Sequence, residues 1–209
     1  MKWVNGEYFA VFFQTKRFFS AGGWLLVANF EIDDSEPPSD WTTESTYRGI
    51  SNYKNKRMGI SRTALHELRK HLPFTQLRFY CSKQHGRTFH VITASNSTGE
   101  DVVEYFSGQT GVKPSSCGSF VRMEDDNSQL AARCANWGYN ISSGEFRVGK
   151  WGGVPWLSSG SDEMLYDHAL FISYESHWII GKTGGRWECD DYYSLDPLSS
   201  KDFWKIFVR

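Results

Sequence analysis

The sequence predicts an α+β domain, mainly antiparallel sheet with few short helices and a long loop-rich region. Short runs of aromatic and β-branched residues recur along the chain, as strands require. Only one stretch, "SRTALHELRKHL", has helical periodicity. From Ser107 to Ser161, Gly, Ser and Asn dominate. The 209-residue length suits one β-rich domain with a real core, since a chain of this size buries about 70% of its unfolded surface.

In chain order, "EYFAVFF" and "WLLVANF" read as strands. Between them "QTKRFFSAGG" ends in a Gly pair that marks a turn. "EIDDSEPPSD" is acidic, bears proline, and reads as an exposed loop. Ser61 is placed to cap the helix, Ala64, Leu65, Leu68 and Leu72 form its apolar stripe, and Pro73 ends it. "QLRFYC", "TFHVITA" and "DVVEYF" read as strands again. The irregular stretch that follows is long enough to signal function, or a tie by disulfide or metal. "HALFISY", "HWIIG" and "FWKIFVR" are the late strands, and no internal repeat is present.

Lys and Arg total 23 against 24 Asp and Glu, a net charge of -1, so no global charge favours nucleic acid or a membrane surface. No apolar run approaches the roughly 18 residues of a membrane span. "MKWVNGEYFA" lacks the apolar core of a signal peptide. Other features nevertheless point outside the cell. Cys81, Cys117, Cys134 and Cys189 are even in number with no CxxC pair, which favours two disulfides over zinc. Sequons stand at Asn96 and Asn140. Nine Trp and an aromatic content of 16% imply a packed β core, a ligand surface, or both.

Enzymatic motifs fail on spacing. In "HELRKH" the histidines His66 and His71 are five apart, which turns them about 140° from each other on a helix, whereas a zincin needs both on one face. No GxSxG elbow or P-loop occurs. Cysteines in bridges cannot act as nucleophiles, and the Asp125–Asp126 and Asp190–Asp191 pairs are adjacent in sequence rather than set across a cleft. The expectation is therefore a non-enzyme. The segment from Arg48 to His71 holds seven Lys or Arg and one Glu; it is either a site for sulfated glycans and acidic polymers or a solvated face. "RMEDDNSQLAARCANWGYN" is not an EF-hand, because Leu130 and Asn136 stand where Gly and Glu are needed. Its carboxylates and amides still suit calcium, and a solvated turn is the alternative.

"SAGGWLLVANF" resembles the segment of fibrinogen C-terminal-like domains in which a Gly-rich turn leads into Trp and a strand. "YRGISN" with the helix after it, and the closing "DFWKIFVR", resemble later landmarks of that family. "MEDDNSQLAARCANWGY" is similar to its calcium loop. "LRFYCSKQHGRTFHV", "YFSGQTGVKPSSCGSFVRMEDDNS" and "GRWECDDY" are similar to secreted cnidarian members, including skeletal organic matrix proteins of stony corals. The resemblance implies one such domain over residues 1–209, lacking the N-terminal portion. It implies calcium as the cofactor, held by Asp126, Ser128 and the carbonyls of Leu130 and Ala132. Ser128 stands where the family has Asp, the family's early cysteine near Thr15 is absent, and its partner soon after Cys134 is absent too.

The bridges expected are Cys81–Cys117 and Cys134–Cys189, with Cys117–Cys134 the main rival. Trp137, Tyr139 and Trp151 are candidates to stack on sugar rings, or core residues. The function implied is that of a secreted, non-enzymatic extracellular matrix protein, part of the organic matrix of a calcified skeleton. The alternative is a calcium-assisted, glycan-binding lectin. Its partners would be extracellular glycans or matrix components, with no nucleic acid and no membrane span.

Overall fold

The computed structural model describes residues 2–4, 7–9, 13–14, 23–33, 41–153, 163–181, 185–193 and 195–209. These residues form antiparallel sheets and a few short helices. Strands β1 (Lys2–Val4) and β2 (Glu7–Phe9) make a hairpin. The main sheet has seven strands: β3 (Phe13–Gln14), β4 (Trp24–Glu31), β5 (Arg57–Gly59), β6 (Leu77–Ser82), β7 (Thr88–Thr93), β8 (Phe120–Arg122) and β14 (Phe203–Val208). A two-stranded ribbon joins β9 (Tyr139–Asn140) to β10 (Glu145–Phe146). A three-stranded sheet joins β11 (Asp167–Ile172), β12 (Ser176–Ile179) and β13 (Glu188–Asp191).

The last strand takes the middle of the main sheet. β14 lies between β4 and β6, with Trp204 opposite both Phe30 and Cys81, and Ile206 opposite both Ala28 and Phe79. A strand so placed must be apolar on its covered face, and Trp204 and Ile206 are fully buried. β6 shows the alternation of a sheet with one covered face: Leu77, Phe79 and Cys81 are buried, while Arg78, Tyr80 and Ser82 are half-exposed. Phe79 meets Phe106, Trp151 and Trp178 with ring centroids 5.4–5.6 Å apart, so helix, loop and second sheet pack on one covered face.

Helix α1 (Arg62–His71) forms where its pattern predicts. Ser61 Oγ accepts from the amide of Ala64 at 3.0 Å, and Ala64, Leu65 and Leu68 are buried. Arg69, Lys70 and His71 in its last turn complement the helix dipole. The segment "DVVEYF", read as a strand from its β-branched and aromatic residues, is not one. It is the core of helix α2 (Ser97–Phe106), whose N-terminus Asn96 caps by accepting from the amide of Gly99 at 3.0 Å. Gly99 is required there, because a Cβ would lie 1.9 Å from the carbonyl oxygen of Ala94. A third helix, α3 (Gln129–Ala132), is a single turn. Among the described residues no helix is long and apolar enough to cross a membrane.

Both disulfides form, but not with the expected partners. Cys81 pairs with Cys189 and Cys117 with Cys134, in place of Cys81–Cys117 and Cys134–Cys189. The register explains the change. Cys81 faces the covered side of β6, where β13 crosses, and the Trp204 indole opposite it donates to the Glu188 carbonyl at 3.0 Å. Cys117 and Cys134 meet across a loop that Ser116 Oγ also closes, donating to the Cys134 carbonyl at 2.7 Å.

The loops closed are 108 and 17 residues, which correspond to about 4.8 and about 3.1 kcal/mol in the chain-entropy model. Replacing Cys81 and Cys189 together by Ser is expected to lower the melting temperature more than the same replacement of Cys117 and Cys134. The reverse order would show that the short bridge, not the long one, holds the layers.

Candidate functional site

The acidic loop of the sequence docks on β7 at Thr88 and His90, just beyond the residues that β8 pairs. The amide of Asn127 donates to the Thr88 carbonyl, and Asn127 Oδ1 accepts from the Thr88 amide at 2.7 Å. Asp126 is fully buried at its side chain. Its Oδ2 accepts from the His90 amide at 2.7 Å, and its Oδ1 from Arg122 Nε at 2.9 Å and the Ser128 amide at 3.2 Å. Ser128 Oγ donates to the same carboxylate and caps α3 by accepting from the amide of Ala131. The Leu130 carbonyl accepts from the indole of Trp137 at 2.8 Å, and Ala132 ends α3.

Calcium takes about six to eight oxygens. The set Asp126, Ser128, Leu130 and Ala132 contains one carboxylate, and that carboxylate already serves a guanidinium, a hydroxyl and two amides. As folded, these residues do not fit the ion. The loop acts instead as a turn whose acidic groups organise backbone.

Beside the loop stands a His–Asp pair. His90 Nδ1 meets Asp125 Oδ1, while Arg78 Nε donates to His90 Nε2 at 2.7 Å, and Tyr80 stacks on the imidazole with centroids 3.9 Å apart. Because Nε2 accepts, Nδ1 carries the proton. Both ring nitrogens are thus engaged, and the lone pair that a general base needs points at a guanidinium. Burial, then the Arg78 charge, pushes His90 below the ordinary imidazole value. Of the histidines singled out in the sequence, His66 Nδ1 lies 3.0 Å from the Ser107 carbonyl and His71 packs on Tyr47, so the two serve different neighbours.

The sugar-stacking candidates divide. Trp137 and Trp151 are fully buried, with centroids 4.9 Å apart, and Trp137 also stacks on Phe120. No sugar can reach either ring, so both belong to the core. Tyr139 is half-exposed and packs on Phe146 at 4.7 Å. It begins a strip that continues from Phe146 to Tyr174 at 6.3 Å, Tyr174 to Tyr192 at 6.2 Å, and Tyr192 to Tyr193 at 4.7 Å. The guanidinium of Arg186 lies 4.2 Å from the Tyr193 centroid.

Tyr174 and Tyr193 are 73% and 62% exposed. Both hold left-handed backbone, φ 63° and 54°, as does neighbouring Arg147 at 64°. That region is unfavourable for a bulky side chain, and strain of this kind concentrates at ligand-binding positions. Arg147 and Arg133 both pair with Glu175 at the tip of the β11–β12 hairpin. Phe146, Tyr174, Tyr192 and Tyr193 were missed in the sequence; the doublet in "DDYY", aromatic residues directly after carboxylates, was the one available signal. The sequon residues Asn96 and Asn140 are both exposed.

Two measurements follow from this geometry. Melting temperatures in millimolar calcium and in chelator are expected to coincide; an upward shift in calcium that vanishes in Asp126→Ala would restore the loop as a metal site. The second concerns acid. Burial lowers His90 and His177 alike, so below about pH 6.5 the unfolded chain binds more protons than the folded one. Stability is therefore complete above that pH and declines beneath it, by at most about 1.4 kcal/mol per pH unit for each histidine. His90→Gln should flatten the slope between neutral and mildly acidic pH. An unchanged slope in that variant would remove His90 as a source.

No family model, curated protein or solved structure matches the chain.

Proposed function

We propose that the chain is a secreted, non-enzymatic extracellular matrix domain that holds glycan on the strip from Tyr139 to Tyr193. The observation that supports it is the pair of exposed tyrosines, Tyr174 and Tyr193, kept in left-handed backbone on one continuous aromatic surface. Aromatic faces pair with the C–H faces of sugar rings, tyrosine hydroxyls and flanking Arg147 and Glu175 supply polar contacts, and two-torsion side chains lose little entropy when they bind. The resemblance to fibrinogen C-terminal-like proteins of cnidarians points the same way, toward the organic matrix of a calcified skeleton. So do two disulfides and two exposed sequons. In both sequons the asparagine Oδ1 accepts from a backbone amide, that of Gly99 at Asn96 and that of Ser142 at Asn140, so the nitrogen that would carry a glycan does not hold the turn. Calcium assistance is not part of this reading, because the loop carboxylate is already engaged.

A glycan array with and without chelator tests it. Saturable, sugar-specific binding is expected in both conditions. Tyr174→Ala and Tyr193→Ala should each weaken it about tenfold. Tyr174→Gly should weaken binding equally while raising stability by up to about 1 kcal/mol, since glycine adopts the left-handed backbone without the steric penalty. Absence of sugar-specific binding, or binding indifferent to both tyrosines, would refute the reading.

A further inference from the structure

The two disulfides differ in access. Cys81 and Cys189 are fully buried, whereas Cys117 is exposed and Cys134 half-exposed. The chain beside Cys117 is open too, since a Cβ placed on Gly118 would meet nothing within 4 Å. The exposed run Cys117–Gly118 is short, because Ser116 and Ser119 on either side of it are fully buried. We infer that the Cys117–Cys134 bridge is an exchange site for a small-molecule thiol, with Cys117 taking the incoming sulfur and Cys134 leaving as thiolate.

The step balances without an outside oxidant. The incoming thiolate bonds to Cys117 Sγ, the bond to Cys134 Sγ breaks, and its electron pair stays on Cys134. When Cys134 attacks Cys117 again, the small thiol is expelled and the bridge is restored. Three features support this chemistry. The first is access, which decides which sulfur is attacked; exposed bridges are the labile ones. The second is a loop that does not depend on the bridge. The Trp151 indole donates to Ser119 Oγ at 2.8 Å, Ser119 Oγ to the Ser116 carbonyl at 2.5 Å, and Ser116 Oγ to the Cys134 carbonyl at 2.7 Å. The Ser116 amide donates to the Gly149 carbonyl at 3.0 Å, and Thr98 Oγ1 to the Gly118 carbonyl at 3.0 Å. These bonds flank Cys117 and reach Cys134, so the two sulfurs stay opposed when the bond between them opens. The third is the companion bridge. Cys81–Cys189 encloses both exchanging cysteines in its loop and holds that loop closed meanwhile. Its buried sulfurs meet a thiolate only when the domain unfolds.

The test is reaction of the whole native chain with millimolar glutathione at about pH 8, where thiolate forms. A pulse of excess maleimide then labels free thiols, and peptide mass mapping locates every modification. The expected products are glutathione on Cys117 with label on Cys134, and label on both at higher thiol. Cys81 and Cys189 should be modified at least about a thousandfold more slowly, because their exchange waits for unfolding. Near-UV circular dichroism should not change as the adduct forms. Two variants read the direction with oxidised glutathione, whose sulfur a free cysteine attacks with release of reduced glutathione. Cys117 in Cys134→Ser should couple at least about tenfold faster than Cys134 in Cys117→Ser. The inference is overturned if both bridges open at the same rate, if glutathione settles on Cys134, if the folded chain gives no adduct, if the near-UV signal is lost with adduct formation, or if the two variants couple in the reverse order.

Discussion

Asp190 is fully buried, and its carboxylate holds three parts of the chain at once. It accepts from the amides of Gln129 and Leu130 at the start of α3, and it pairs with Arg87 ahead of β7. Burial raises its carboxyl above the ordinary range, while the guanidinium and the two amides act against that shift. An ion buried without such partners would cost several kcal/mol. The backbone accommodates this at φ 62°, an unusual value for aspartate outside a turn. The neighbours in β13 repeat the arrangement. Cys189 bridges to β6, Asp191 meets the buried Lys83 at 2.8 Å, and Glu188 meets His177 and Arg186. Four consecutive residues therefore fasten the small sheet to the main sheet, to α3 and to the loop beneath Arg186.

This fastening explains why the acidic residues are poor candidates for chemistry. A metal or a substrate needs acceptors with open lone pairs and a route for solvent. Asp126, Asp190 and Asp191 instead terminate backbone and pair with cations in the interior, where a lost partner is costly. His90 follows the same rule, with a proton on one nitrogen for Asp125 and a guanidinium on the other. Polar groups build the frame, while Tyr174 and Tyr193 stand exposed on the aromatic strip. Left-handed backbone occurs in both, at buried Asp190 and His168 and at the exposed Arg147, Tyr174 and Tyr193 of the strip.

How much of this was legible depends on the kind of signal. Local, periodic signals were readable: the Ser61 cap with the stripe Ala64, Leu65 and Leu68, and the apolar strands around β4, β6, β7 and β14. Helix α2 was hidden because Val102, Val103, Tyr105 and Phe106 favour strands by propensity. Its burial against the sheet, together with the Asn96 cap, overrides that preference. The disulfide partners were hidden for another reason. Pairing depends on which strand crosses the covered face of β6, and sequence separation carries no trace of that. Trp137 and Trp151 lie near glycines, which suggests a surface, yet their neighbouring glycines let the chain wrap closely around them: a Cβ on Gly138 would stand 2.3 Å from the Lys150 carbonyl oxygen. A lone tyrosine at a hairpin tip has no periodicity at all, so Tyr174 could be found only in three dimensions.

Arg186 shows how the frame and the surface are joined. Its guanidinium is held by Glu188 on one side and covers Tyr193 on another. A flexible arginine in that position would have to be ordered each time a ligand bound, at about 0.5–1.5 kcal/mol for a side chain rich in rotamers. Fixing it against a fully buried carboxylate moves that entropy loss into folding, where Glu188 is already held by His177 at 2.8 Å and by the Trp204 indole, which donates to its backbone carbonyl. The same contact keeps the cation matched while the strip retains an arginine edge. One buried glutamate thus ties the arginine edge of the aromatic strip to β13.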